Sequence, residues 1–204
     1  MDMVLTLLMI AVVWRVFTLR YQRAHITLLA GNLANLQLER QIASLMEGYD
    51  RALKEDSENR QVQILENFAQ TERTIAIHAQ SLANAMQKEG ELETRVGILA
   101  LCIPYIERFL PGLTRDFRQL LAIHAAGLRH VVDNEENWSA KDRAFHLSAE
   151  VFLFQHSCHW FCKSRSVADA RLMMLHKINH QKVLESVSER TRSAYRSWLQ
   201  GGGA

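Results

Sequence analysis

The residue types best able to do chemistry are gathered in His156-Ser157-Cys158-His159-Trp160-Phe161-Cys162 and in His176-Lys177-Ile178-Asn179-His180. Thiolates and imidazoles are common ligands of Zn²⁺. Cys158 and Cys162 are four apart, as are His176 and His180. On a helix each pair shares a face a single turn apart, so two facing helices could offer two thiolates and two imidazoles to one metal ion. A tight hairpin turning near Arg165 works against this set, because it leaves His176 and His180 a turn or more beyond the thiols. His156 matches His176 better, which makes His156, His159, His176 and His180 an alternative ligand set, although His156 and His159 do not share a face with Cys158.

Packing offers a competing role for the same residues. Cysteine is a small, readily buried hydrophobe, and His180 lies on the apolar stripe of Met173, Leu184 and Val187, where a hydrogen-bonded core histidine would serve. The zinc spacings C-x2-C and H-E-x-x-H are absent, as is the E-x-x-H pair of di-iron bundles. No oxyanion-hole glycine motif or orienting acid accompanies a Cys-His nucleophile, and no Walker A or G-x-G-x-x-G loop offers a phosphate cradle.

The elements that must position these residues read as helices. Pro104 and Pro111 are the only prolines, and three of the nine glycines sit in the tail, so little punctuates a sheet. The fold class is all-α. Apolar residues recur at threes and fours through Ile26, Leu29, Leu33, Leu36, Ile42, Leu45, Tyr49 and Leu53. They do so again through Leu65, Phe68, Ile75, Ala79, Leu82 and Met86, with Glu72 weakening the seam. Gly48 and the polar stretch Lys54 to Arg60 allow a turn near 54–59, so 24–89 is a stalk-like helix or a helical hairpin bearing a heptad seam.

After Gly90 the composition becomes more apolar, as for a compact bundle over 90–200. One helix through Val96 to Ile106 is expected to end at Phe109-Leu110-Pro111-Gly112, and the next to carry Leu113, Phe117, Leu120, Leu121, His124, Leu128 and Val131. A polar loop spans Asp133 to Asn137. Ser139 with Asp142 caps a central helix through Phe161, and Ser166 with Asp169 repeats the signal for a last helix of about thirty residues to Leu199. Residues 201–204 form a flexible tail.

The N-terminus supplies the location. Met3 to Leu19 is apolar except for Arg15 and leaves no polar stripe, and Arg20 and Arg23 follow at once. Seventeen helical residues rise about 25 Å, short of a hydrocarbon core of about 30 Å, while Arg15 lies near enough to the end to snorkel. Only Met1 and Asp2 precede the run and no small-x-small site follows it, which opposes a cleaved signal peptide. Residues 1–23 are therefore expected to be a retained single-pass anchor in an inner or plasma membrane. The arginine flank puts the N-terminus outside and the body in the cytoplasm. The competing reading is a buried first helix of a soluble bundle.

Charge narrows the partners. The net charge of +2 gives no bulk attraction to nucleic acid, and none is expected as a partner. Glu47 to Glu93 carries ten acids against five bases, and Lys163 to Gln200 eight bases against three acids, a polarity that the two segments can balance between themselves. Three cysteines, an odd number in a reducing compartment, make a disulfide framework improbable. Together these features favour a non-catalytic scaffold or assembly factor at the lipid bilayer, meeting a protein partner or its own copy through 25–86. The alternative is a metal- or redox-responsive helical domain using the Cys158 and His180 cluster, with Zn as its cofactor.

Overall fold

A computed structural model describes residues 2–202 and shows an all-α protein with ten α-helices among those residues. Helix α1 (Asp2–Leu33) is long and apolar enough to span a membrane. Large apolar side chains from Met3 to Phe17 stay exposed, and burial begins at Thr18 and Tyr21, where α1 enters the body. Met1 and the last two residues of the expected tail lie outside the described residues. Gly201 adopts a left-handed φ of 86° that ends the final helix.

The arm expected over 24–89 doubles back. Helix α2 (Leu38–Leu53) stops before the polar stretch, α3 (Glu58–Asn67) begins within it, and α4 (Ala69–Met86) continues beyond a bend at Phe68. The amide of Gln61 donates to Ala52 O at 3.2 Å and ties the turn. Gly48 lets the turn close, because a Cβ there would overlap the Phe68 ring. The seam residues Leu65, Ile75, Ala79, Leu82 and Met86 are buried in one hydrophobic cluster with Leu120, Leu128, Leu147 and Phe161. Residues 24–89 are thus not a separate stalk: the seam is consumed inside the chain and bundles with 90–200. Glu72, the misfit on that seam, is buried yet partnered, accepting from Tyr49 Oη at 2.6 Å and lying 3.3 Å from Arg143 Nη2.

The helix expected from Val96 to Ile106 does not form. Val96 belongs to a short strand β1 (Arg95–Gly97), paired antiparallel with β2 (Thr114–Asp116) in the register Arg95↔Asp116, Val96↔Arg115, Gly97↔Thr114. Pro104 explains the difference, since it cannot donate within a helix and pushes its predecessor out of helical space. Only α5 (Ile106–Phe109) and a 3-10 turn (Pro111–Leu113) remain helical between the strands. The loop is held from below by Trp160 Nε1 donating to Gly97 O at 2.9 Å.

Helix α6 (Phe117–Asp133) starts later than its apolar pattern suggests, because Asp116 caps it by accepting from Arg118 N at 2.8 Å. Helix α7 (Ala140–Cys162) begins as expected, with Ser139 Oγ accepting from Asp142 N. The single last helix is instead three: α8 (Arg165–His176), α9 (His180–Ser186) and α10 (Glu189–Gln200). Ser164 rather than Ser166 caps α8, Lys177 breaks the chain at φ 55°, and Asn179 and Ser188 start the two following helices.

Candidate functional site

Successive helical residues are about 100° apart, so the heptapeptide on α7 points its side chains in every direction. His156 is buried and its Nε2 lies 2.8 Å from Asp169 Oδ1 on α8. A carboxylate only accepts, so this nitrogen carries the proton and Nδ1, which is buried without a partner, presents a lone pair. The His156 ring packs 4.5 Å from that of His180, whose Nε2 meets Tyr195 Oη at 3.0 Å. Deeper still, His124 Nε2 is 2.8 Å from Ser157 Oγ, both residues with no exposed surface.

Burial keeps these imidazoles neutral. It pushes His124 down to about 3 and His180 to about 4, and lowers His156 against the opposing pull of Asp169. His159 is likewise held at about 4. The Ser157–His124 pair resembles a nucleophile and its base, but it is walled from solvent and nothing orients His124 Nδ1, so it ties α6 to α7.

The thiols are no better placed for chemistry. Cys158 and Cys162 pack partly buried against the core, and burial raises Cys158 well above its ordinary value and Cys162 to about 11. Both are protonated at neutral pH. His176 ends α8 with its ring stacked 3.9 Å from Phe152, and the left-handed Lys177 turns the chain before His180, so the two histidines are not one helical turn apart. Cys158, Cys162, His176 and His180 are therefore not brought together as the sequence spacing suggested. Among the described residues no group of three His, Cys, Asp or Glu side chains could hold a metal ion.

Of the alternative set, His156, His159 and His176 share a place, whereas His180 packs against His156 outside it. These three line one cavity of about 190 Å³, with Ile42 and Met46 of α2 opposite and Glu39 and Arg171 at its mouth. Met46, Leu175 and His176 also line a neighbouring cavity of about 690 Å³ between α2 and α7. The two form one groove. Its outer walls are Leu53, Phe145 and Leu175, exposed at 54%, 57% and 59%.

No known family matches this chain. Comparisons with curated proteins and with solved structures likewise find no match.

Two parts of the site escaped the sequence reading. Asp169 was read as a capping residue, whereas its carboxylate goes to His156. The groove is assembled from α2 and the consecutive helices α7 and α8, which lie far from α2 in sequence. The one available signal was that Phe145 and Leu175 fall off the buried faces of their helices.

Proposed function

We propose that this protein is a single-pass membrane-anchored adaptor without catalysis of its own, whose α2–α7–α8 groove seats an apolar helical segment of a protein partner. The exposed apolar half of α1 carries this reading. Met3, Leu5, Leu8 and Ile10 are 75%, 65%, 58% and 59% exposed on a helix with no polar face, and water is a poor solvent for such a surface. The flank of Arg15, Arg20 and Arg23 supports an orientation with the N-terminus outside and the body in the cytoplasm.

The groove supports the second half of the proposal. Its lining is largely apolar, with Ile42, Met46, Leu53, Phe145, Phe152 and Leu175 around the histidines, and it also bears Glu39, Glu47, Asp50 and Asp142 against Lys141 and Arg171, which suits an amphipathic segment with basic flanks. Leu45, Leu65, Ile75, Leu82 and Met86 of the heptad seam pack in the chain's own core, which favours the groove over the seam as the docking surface.

The test compares the full chain with a variant lacking residues 2–17, a cut that spares the buried Thr18 and Tyr21, and with Phe145→Glu. The full chain and Phe145→Glu should stay in carbonate-washed membranes while the truncation is released. A stoichiometric protein should co-purify with the full chain from detergent and be lost from Phe145→Glu. Release of the full chain by carbonate would refute the anchor, and equal recovery of the partner with Phe145→Glu would refute the groove.

A further inference from the structure

Helix α1 as a whole is long enough to span a membrane, but the stretch of it that stays exposed is shorter than a bilayer core. Met3 to Phe17, the stretch with exposed side chains, is fifteen residues and rises about 22 Å, against a hydrocarbon core of about 30 Å. Tilting would widen that gap of about 8 Å, so something else apolar must fill it or the bilayer must thin.

The body offers a filler at the right level. Tyr105 packs its ring 6.5 Å from Phe17 and 5.3 Å from Tyr21, and Tyr21 Oη donates to Glu107 Oε2 at 3.0 Å. These contacts fix the loop between β1 and β2 to α1 where the helix enters the body. The same loop carries Leu101, Phe109 and Leu110, exposed at 73%, 77% and 54%. Cations stand beside it: Arg108 lies over the Tyr105 ring at 5.5 Å, and Arg20 and Arg23 are exposed on α1. One exposed acid, Glu93, borders the same cavity as Tyr21, Tyr105 and Arg108 and offsets part of this positive charge.

We infer that residues 98–113 are a second lipid contact, with Leu101, Phe109 and Leu110 seated at the boundary between headgroups and acyl chains beside the emerging α1, and Arg20, Arg23 and Arg108 among the phosphates. Interfacial elements sink about 5–10 Å, which matches the missing length of the span. Insertion there lets a short helix cross and holds the body at a fixed height. The inference rests on α1 being a membrane span.

The experiment uses the full chain reconstituted into vesicles of phosphatidylcholine and phosphatidylglycerol doped with a diazirine-bearing phosphatidylcholine. After irradiation, labelled peptides are mapped by mass spectrometry. Label should appear on 3–19 and on 98–113 but not on 140–150, which contains Phe145 of the groove, about as exposed as Leu110. In the triple variant Leu101→Ser, Phe109→Ser, Leu110→Ser, label at 98–113 should fall about fivefold or more while label at 3–19 persists. Label on 3–19 with none on 98–113 overturns the inference and leaves the anchor standing. Equal label on 98–113 and 140–150 also overturns it, as general surface adsorption. Absence of label from 3–19 overturns the anchor itself. The wild-type arm decides even if the triple variant fails to fold.

Discussion

Glu150 is fully buried, and Gly127, Ser188 and Thr191 enclose it between α6, α7 and α10. Its Oε1 accepts from Ser188 N at 3.2 Å and from Ser188 Oγ at 2.9 Å, while Oε2 has no partner. Burial raises its carboxyl from 4.5 to about 7, against the opposing pull of the neighbouring Thr191 hydroxyl and the hydrogen bonds from Ser188. An acid whose folded value is raised stays protonated in the native state while the unfolded chain ionises, so stability is lost as pH rises from about 4.5 through 7. With those two values the loss between pH 5 and pH 8 is about 2.5 kcal/mol. Glu150→Gln removes the titration, keeps an oxygen for Ser188 and places an amide where Oε2 had no donor. Its stability relative to the native protein should therefore rise with pH by about that amount, equivalent to about 5–10 °C in Tm for a chain of this size. Urea titrations of both proteins in mild detergent at several pH values measure it, and the difference between them cancels the opposing titration of the histidines. A difference that stays flat from pH 5 to pH 8, or a Gln variant uniformly less stable, would mean that the native carboxylate is ionised and held by its hydrogen bonds.

The depressed imidazoles give the opposite limb. His124, moved from 6.5 to about 3, contributes stability that is present above pH 6.5 and lost on acidification, about 3 kcal/mol between pH 7 and pH 4, and His124→Asn should flatten that limb in the same titrations. Gly48→Ala should destabilise by about 1–3 kcal/mol despite alanine's better helix propensity, because its Cβ overlaps the Phe68 ring. A double-mutant cycle with Phe68→Ala should recover most of that cost. Cys158 and Cys162, held protonated by burial, should react with a disulfide reagent at pH 7 much more slowly in the native protein than in urea. Equal rates would place the thiols in solvent.

Local signals in the sequence were readable where one residue decides the outcome. Ser139 starts α7 as its side chain dictates, the polar stretch after Leu53 turns the chain, and the featureless apolar run at the N-terminus forms a helix clear of the core. Failures arose where a weak local signal was outvoted by a periodic one. Pro104 should have stopped any helix through 96–106, but the apolar run around it masked the break. Asn179 and Ser188 are ordinary cap residues whose effect shows only because Lys177 takes a left-handed turn between helices that periodicity would have joined. At the site, spacing predicted which residues could share a face but not which way each face turns. Thus three of the histidines border one cavity while the cysteines pack partly buried against the core. Glu72 is instructive in the same way. It looked like a flaw in a seam, and it became intelligible only once Tyr49 and Arg143 were seen to reach it from two other helices.

Helix α1 runs from Asp2 to Leu33 with no proline, and its single glycine, Gly31, lies in the last turn. The outer and inner halves are consequently one rod of about 48 Å without a hinge. A rod of that kind conveys angle as well as position. Were the proposed anchor seated in a bilayer, whatever leans its free end over would swing the whole globule through the same arc, and the mouth of the groove would change bearing with the thickness or curvature of that bilayer. The chain is built as a lever, with Tyr21 and Tyr105 at its fulcrum.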